Sequence, residues 1–291
     1  MASEEKLAYW LTIPALLVIF LIAFFPIFQA IWLSFHKIQL QFPQLGTPFV
    51  GLGNYQELFK EPRFWNAIKN TFVFASCTVI LEFIFGLILA LLLNKSFMGR
   101  GILRTALLIP WAFTTVVSAL MWQFIYNDQF GILNSILMKL HIIKQPIIWL
   151  GTTKLAMISA IIADVWKTTP FMALLLLAGL QVIPREMYEA ALIDGASAWQ
   201  TFLRVTLPLL KPTILVALLF RTLDAVRVFD LIFVLTQGGP GNSTEVLSYL
   251  TYIKLFREFD FGVGSALSVI TFLCIMGISM FFIKILGART T

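Results

Sequence analysis

Long apolar runs alternate along this chain with shorter polar stretches, and six of the runs, at 9–35, 71–93, 105–125, 155–180, 213–236 and 262–286, are long enough to cross a bilayer as helices. The first measures about 40 Å at roughly 1.5 Å per residue, which permits tilt. Pro14 and Pro26 predict kinks in it, of the kind neighbouring helices make tolerable by satisfying freed carbonyls. Its leader, MASEEKLA, sets one Lys against two Glu and shows no small-residue cleavage site, so an uncleaved first span is expected. Between the first two runs, Gly46, Pro48, Gly51, Gly53 and Pro62 mark turns. Asn54-Tyr55 through Phe64-Trp65 predicts short interfacial helices with aromatics at headgroup level. After the third run, Phe130-Gly131-Ile132-Leu133-Asn134 reads as a segment dipping back toward the membrane, and Gln237-Gly238-Gly239-Pro240-Gly241 closes the fifth run as a tight turn.

The polar stretch 181–211 differs from the other connections. It holds Arg185, Glu186, Glu189, Asp194, Arg204 and Lys211, so it belongs outside hydrocarbon. Two short helices are predicted. The first starts at Pro184, where a missing N–H costs nothing, and stops at Gly195, which accepts positive φ. The second has Ser197 as N-cap, Gln200 three residues on to complete a capping box, and Pro208 as its end. Met187, Ala190, Ala191 and Leu192 beside Glu189 give the first helix small and apolar groups at helical spacing, suited to docking against another surface or to resting on the bilayer.

Composition agrees with an integral membrane protein: 59% of the 291 residues are hydrophobic and 12% charged, and mean hydropathy is +0.89. The net charge of +6 fits loops facing anionic headgroups, and no aromatic-basic nucleic-acid motif accompanies it. Cys77 and Cys274 both fall in apolar runs as small fillers and form no disulfide framework. The connection 94–104 carries Lys95, Arg100 and Arg104 with no acid, which marks it as cytoplasmic and carries most of the orientation. Lys and Arg count nine on each side in this topology, and the inside loops, being shorter, are the denser. Both termini and the 181–211 loop then lie inside, with Arg289 in the tail.

Charges inside spans are costly and face protein or water. Glu82 stands alone in the second run; Asp164 and Lys167, three apart in the fourth, lie within pairing reach. Arg221, Asp224, Arg227 and Asp230 alternate in sign at spacings of three along the fifth, a stripe read as a water-facing seam suited to many hydroxyls. The alternative is that these charges are ion pairs fixing helix packing, the reading favoured for Glu82. Trp111, Trp122 and Trp166 have faces for stacking on sugar rings, although tryptophans in spans more often anchor at interfaces.

Glu189-Ala190-Ala191, three residues, Gly195, nine residues, then Val205-Thr206-Leu207-Pro208 resembles the EAA loop of binding-protein-dependent ABC import permeases, with Val205 where Ile is usual. The GLxNY stretch and the Phe64-Trp65 pair are similar to that family too, and the sugar permeases of the maltose and glycerol-phosphate type look closest. The resemblance implies an all-α membrane protein with six transmembrane helices, the MetI-like importer permease fold, in a prokaryotic cell (inner) membrane. It implies that Glu189, Ala190, Ala191, Asp194 and Gly195 form a coupling helix entering a cleft of a cytoplasmic ABC ATPase dimer. Further implied partners are a second related permease, an extracytoplasmic substrate-binding protein, a sugar and membrane lipid. The Pro110-Trp111 pair resembles the family's Pro-aromatic motif and implies Trp111 and Thr115 in a mid-membrane cavity. Trp166 with Pro170 implies Asp164, Lys167, Thr168 and Phe171, and backing up from Thr236-x-Gly238-Gly239-Pro240 implies Arg227 and Val228. Maltose-type members often have Asn where this chain has Arg227, which opens the way to a different sugar or an anionic polyol.

No Gly-Lys-Ser/Thr follows a Gly-rich loop anywhere in the chain, so ATP hydrolysis is expected of a separate subunit. No cofactor or metal is expected, and His36 and His141, both in outside loops, offer neither a metal constellation nor a triad. Two rivals are an ion-coupled secondary transporter using Asp164, Asp224 and Asp230, which predicts internal repeats the sequence does not display, and a non-transporting scaffold, which predicts no polar seam.

Overall fold

The computed structural model describes residues 2–287; Arg289 of the expected tail lies outside them. The first apolar run forms α1 (Ala2–Ile19) and α2 (Phe25–Ser34), joined by a π-helical turn at Phe20–Phe24. Pro14 and Pro26 both lie in the helical path, and the wider π turn stands just ahead of Pro26, where an i→i−4 bond is lost. After α3 (Gly53–Lys60), α4 (Pro62–Asn94) is longer than the expected second span. Pro62 is its first residue, a position that wastes no N–H, so Phe64 and Trp65 belong to this helix and not to a separate interfacial one.

The expected third span is broken into α5 (Arg100–Ala112) and α6 (Thr115–Ile125), bent by 94°. Pro110 weakens the end of α5, and extended Thr114 starts the new helix with its hydroxyl accepting from Val117 N at 3.4 Å. Next come α7 (Ile132–Lys139), α8 (Thr153–Val182), α9 (Arg185–Ile193) and α10 (Ala198–Thr201). Buried Asn134 of α7 binds Ile147 through both its amide groups and accepts from Trp149 Nε1, pinning that loop. Pro208 does not end the second loop helix: α10 runs through a π turn at Phe202–Thr206 into α11 (Leu207–Val226). The π turn reroutes the bonds that Pro208 would have broken, so 198–226 is one helical path. The expected fifth span is instead interrupted at 227–229, and α12 (Asp230–Leu235) starts anew. α13 (Leu247–Tyr252), a π turn at Ile253–Arg257 and α14 (Phe261–Gly287) complete the chain. Five of these helical paths are long and apolar enough to cross a membrane, and six if the bent α5–α6 pair is one span.

The chain divides into two compact units. One comprises Met1–Phe64 with Leu250–Leu273. In it, buried Asn54 donates to the carbonyls of Ser34 and His36 at 2.7 and 3.0 Å, satisfying backbone freed where α2 ends. Lys254 pairs with Glu258 and Glu61 at 3.0 and 3.4 Å; desolvation works to lower its pKa, but the two carboxylates prevail and hold the ammonium above the usual lysine range. The other unit comprises Trp65–Tyr249 with Cys274–Thr291. Its main core lies between α4, α8 and α11, where Leu93, Met172, Leu176 and Leu210 are buried. Gly86 permits the close approach: a Cβ there would stand 2.7 Å from Met172 Cγ and 3.2 Å from Ala173 N. Small residues at such crossings let helices pack where lipid removes the hydrophobic drive.

Candidate functional site

The charges that the sequence scatters over three apolar runs meet above this core. Arg221 of α11 is 3% exposed and Glu82 of α4 fully buried. The guanidinium grips Glu82 with Nε and Nη2, the latter at 2.9 Å from Oε1. Nη2 also donates to Asp164 of α8, and Nη1 to Asp224 at 3.0 Å. Thr168 donates to the same Glu82 carboxylate, so both of its oxygens are engaged. Arg227 at the end of α11 reaches the other oxygen of Asp224 at 3.7 Å, in a pair exposed on both sides. Four N–H bonds from one guanidinium tie three helices together.

Above Arg221 opens a cavity of about 130 Å³. Thr115, Asp164, Lys167, Thr168, Arg221, Asp224, Arg227, Val228 and Asp230, all expected at the substrate path, line it, together with Phe229 and Leu231. Both broken helices contribute to the wall: Thr115 follows the α5–α6 bend, and Arg227, Val228 and Phe229 form the interruption between α11 and α12. Irregular backbone at membrane depth is tolerable where it is buried or lines a polar cavity. Ser248 donates to the Val228 carbonyl at this interruption.

Several expectations are corrected here. Arg221, Asp224, Arg227 and Asp230 do not wind round one helix as a seam: Arg221 is a buried strut, Asp224 and Arg227 are exposed, and Asp230 opens a different helix. Asp164 pairs with Arg221, and among the described residues no ion pair joins it to Lys167. Glu82 is not alone. Trp111 and Phe171 do not line the cavity but stack on each other, centroids 6.0 Å apart and planes 16° apart. Trp122 and Trp166 form an edge contact at 5.8 Å. Phe229 and Leu231 were missed, because nothing in an apolar run distinguishes them. An intramembrane acid such as Glu82 calls for a cation, but which cation it meets depends on how the helix faces come together. Among the described residues, no group of three or more His, Cys, Asp or Glu has metal-holding geometry.

The 185–201 segment forms the expected helix-turn-helix. Pro184 is the N-cap of α9, one residue earlier than expected, and the far end closes with Gly195 N bonded to Leu192 O and Ala196 N to Ala191 O, at 3.1 and 2.9 Å. Gly195 has φ +73°, the left-handed geometry this closure requires. Ser197 and Gln200 make the capping box at 3.3 and 2.8 Å. Glu189, Ala190, Asp194 and Gly195 are exposed, whereas Ala191 is buried and seats the helix on its own chain instead of presenting to a partner. Leu192, Ile193 and Trp199 are large apolar groups left exposed around it.

Residues 82–291 match the profile of the family described as binding-protein-dependent transport system inner membrane component. The trehalose/maltose transport system permease protein MalF of Thermococcus litoralis is 46% identical over 282 residues, covering 97% of this chain and 94% of that protein. The trehalose transport system permease protein SugA of Mycobacterium tuberculosis is 43% identical over 287 residues, covering 98% and 90%. A bacterial ABC transporter importing the acidic polysaccharide alginate has a chain of the same fold, with a TM-score of 0.84 at 23% identity over 99% of this chain and 98% of that one.

Proposed function

Because the chain belongs to the binding-protein-dependent transport system inner membrane component family, we propose that it is the permease subunit of an ATP-driven importer of a sugar or oligosaccharide. The observation that carries this reading is the cavity between two interrupted helices, walled by carboxylates, cations and hydroxyls. Mixed donors and acceptors without one dominant charge suit a polyol. Relatives named for trehalose and maltose support the class. A second reading, an anionic polyol such as glycerol 3-phosphate, rests on Lys167 and Arg227 in the same wall.

In this reading the chain pairs with a second permease in a prokaryotic inner membrane, both termini inside, and takes substrate from an extracytoplasmic binding protein. ATP is hydrolysed by a separate ATPase dimer against which α9 docks, with Glu189, Ala190, Asp194 and Gly195 on the contact. Closure of that dimer displaces α9, and the cavity opens alternately to either side. The decisive experiment is ATP hydrolysis by the reconstituted importer with its binding protein, screened across sugars and glycerol phosphates. Stimulation by a sugar is expected. Uptake that follows a proton or sodium gradient without ATP would overturn the proposal.

A further inference from the structure

The geometry points to Glu82 as a positioning residue that sets sugar specificity by withholding Arg221 from the substrate; this rests on the importer reading. Arg221 borders the cavity, yet four of its N–H bonds go to Glu82, Asp164 and Asp224. A guanidinium is otherwise the side chain best shaped to bind phosphate or carboxylate bidentately. Glu82 takes one of the two forked edges an anion could use, Nε with Nη2, and Asp164 and Asp224 occupy the other, Nη2 with Nη1. Both Glu82 oxygens accept hydrogen bonds, as an ionised carboxylate does.

The charge count points the same way. Glu82, Asp164, Asp224 and Asp230 supply four carboxylates, and Lys167, Arg221 and Arg227 three cations, leaving one negative charge on the cavity and its strut. An incoming anion meets like charge and an occupied arginine; an uncharged sugar meets paired donors and acceptors. The assigned substrate class is therefore an uncharged sugar, and Glu82 is the side chain that excludes the phosphorylated or acidic one.

The test uses the solubilised importer, both permeases with their ATPase and without binding protein, so that the cavity alone selects. Binding of labelled trehalose and of trehalose 6-phosphate is compared. The native complex is expected to prefer trehalose. Glu82→Gln, which keeps shape and removes the charge, should shift the ratio toward the phosphate ester by about tenfold, the weight of one charge at about 10 Å and an effective dielectric of about 20. Adding Arg221→Gln to Glu82→Gln should reverse that shift, and Glu82→Asp should retain the native preference, neither of which a purely structural role predicts. If Glu82→Gln does not assemble, Asp230→Asn, exposed at the rim, changes the same balance and should shift the ratio in the same direction. An unchanged ratio in the assembling variant, or equal native binding of both compounds, overturns the inference while leaving an importer of sugars in place. Native binding of neither compound, with ATP hydrolysis stimulated by a non-sugar, overturns the sugar reading itself.

Discussion

Arg221 and Arg227 stand six residues apart and carry one charge type into two different surroundings. Losing Arg221 strands two buried carboxylates, a cost of about 3–5 kcal/mol. Losing Arg227 breaks one exposed 3.7 Å pair with Asp224, worth below about 1 kcal/mol. Arg221→Leu should therefore abolish the folded, assembled complex on size-exclusion chromatography, and Arg227→Leu should keep its melting temperature within a few degrees; equal losses in both would refute the strut. How much of this site was legible follows from the same residues. Spacing and resemblance reached Asp164, Thr168 and Arg227, because an intramembrane charge or hydroxyl already stands out in an apolar run. The Glu82–Arg221 pairing was not legible, since it spans 139 residues and depends on which faces of α4, α8 and α11 meet. Trp111 was misplaced for a local reason: the bend after Ala112 parts it from Thr115.

At the scale of elements, the long helices were readable from their apolar length, and their interruptions were not. Residues 113–114 break a helix where hydropathy remains high, and the charges around 227–229 read as a stripe along one helix instead of as a break in it. Pro208 misled in the opposite sense, because a π turn adds a residue to the helix without altering its apolar character. That turn yields a prediction. Deleting Val205 should restore an α register and turn α10 by about 100° against α11. Membrane insertion should persist while sugar-stimulated ATP hydrolysis disappears; retained stimulation would show that the register is irrelevant to coupling. The neighbouring Gly195 gives a milder test. No atom crowds a Cβ there, so Gly195→Asp incurs mainly the strain of positive φ, about 1 kcal/mol. The chain should fold, and ATPase subunit co-purifying with it should fall; normal co-purification and transport would remove α9 as the docking element.

For the whole molecule, the large apolar side chains left exposed along the helices, among them Trp32, Phe85, Phe220 and Phe281, need lipid or another subunit. Co-expression with a related permease should be required for ATPase assembly, checked by pull-down; a transporting complex built from this chain alone would exclude the heteromeric pore. One feature also sets how any such machine can move. The helical path 198–226 has 29 residues and about 43 Å of length. A tilt of about 5° at the coupling end displaces the other by about 4 Å, several times the stretch that a hydrogen bond survives. Glu82 and Asp164 hold Arg221 near that other end. The tilt must then either carry α4 and α8 along as a single body or tear the guanidinium from both carboxylates, and the second course leaves bare charges in a dry interior. A stroke begun at the α10 end thus arrives as a motion of three helices.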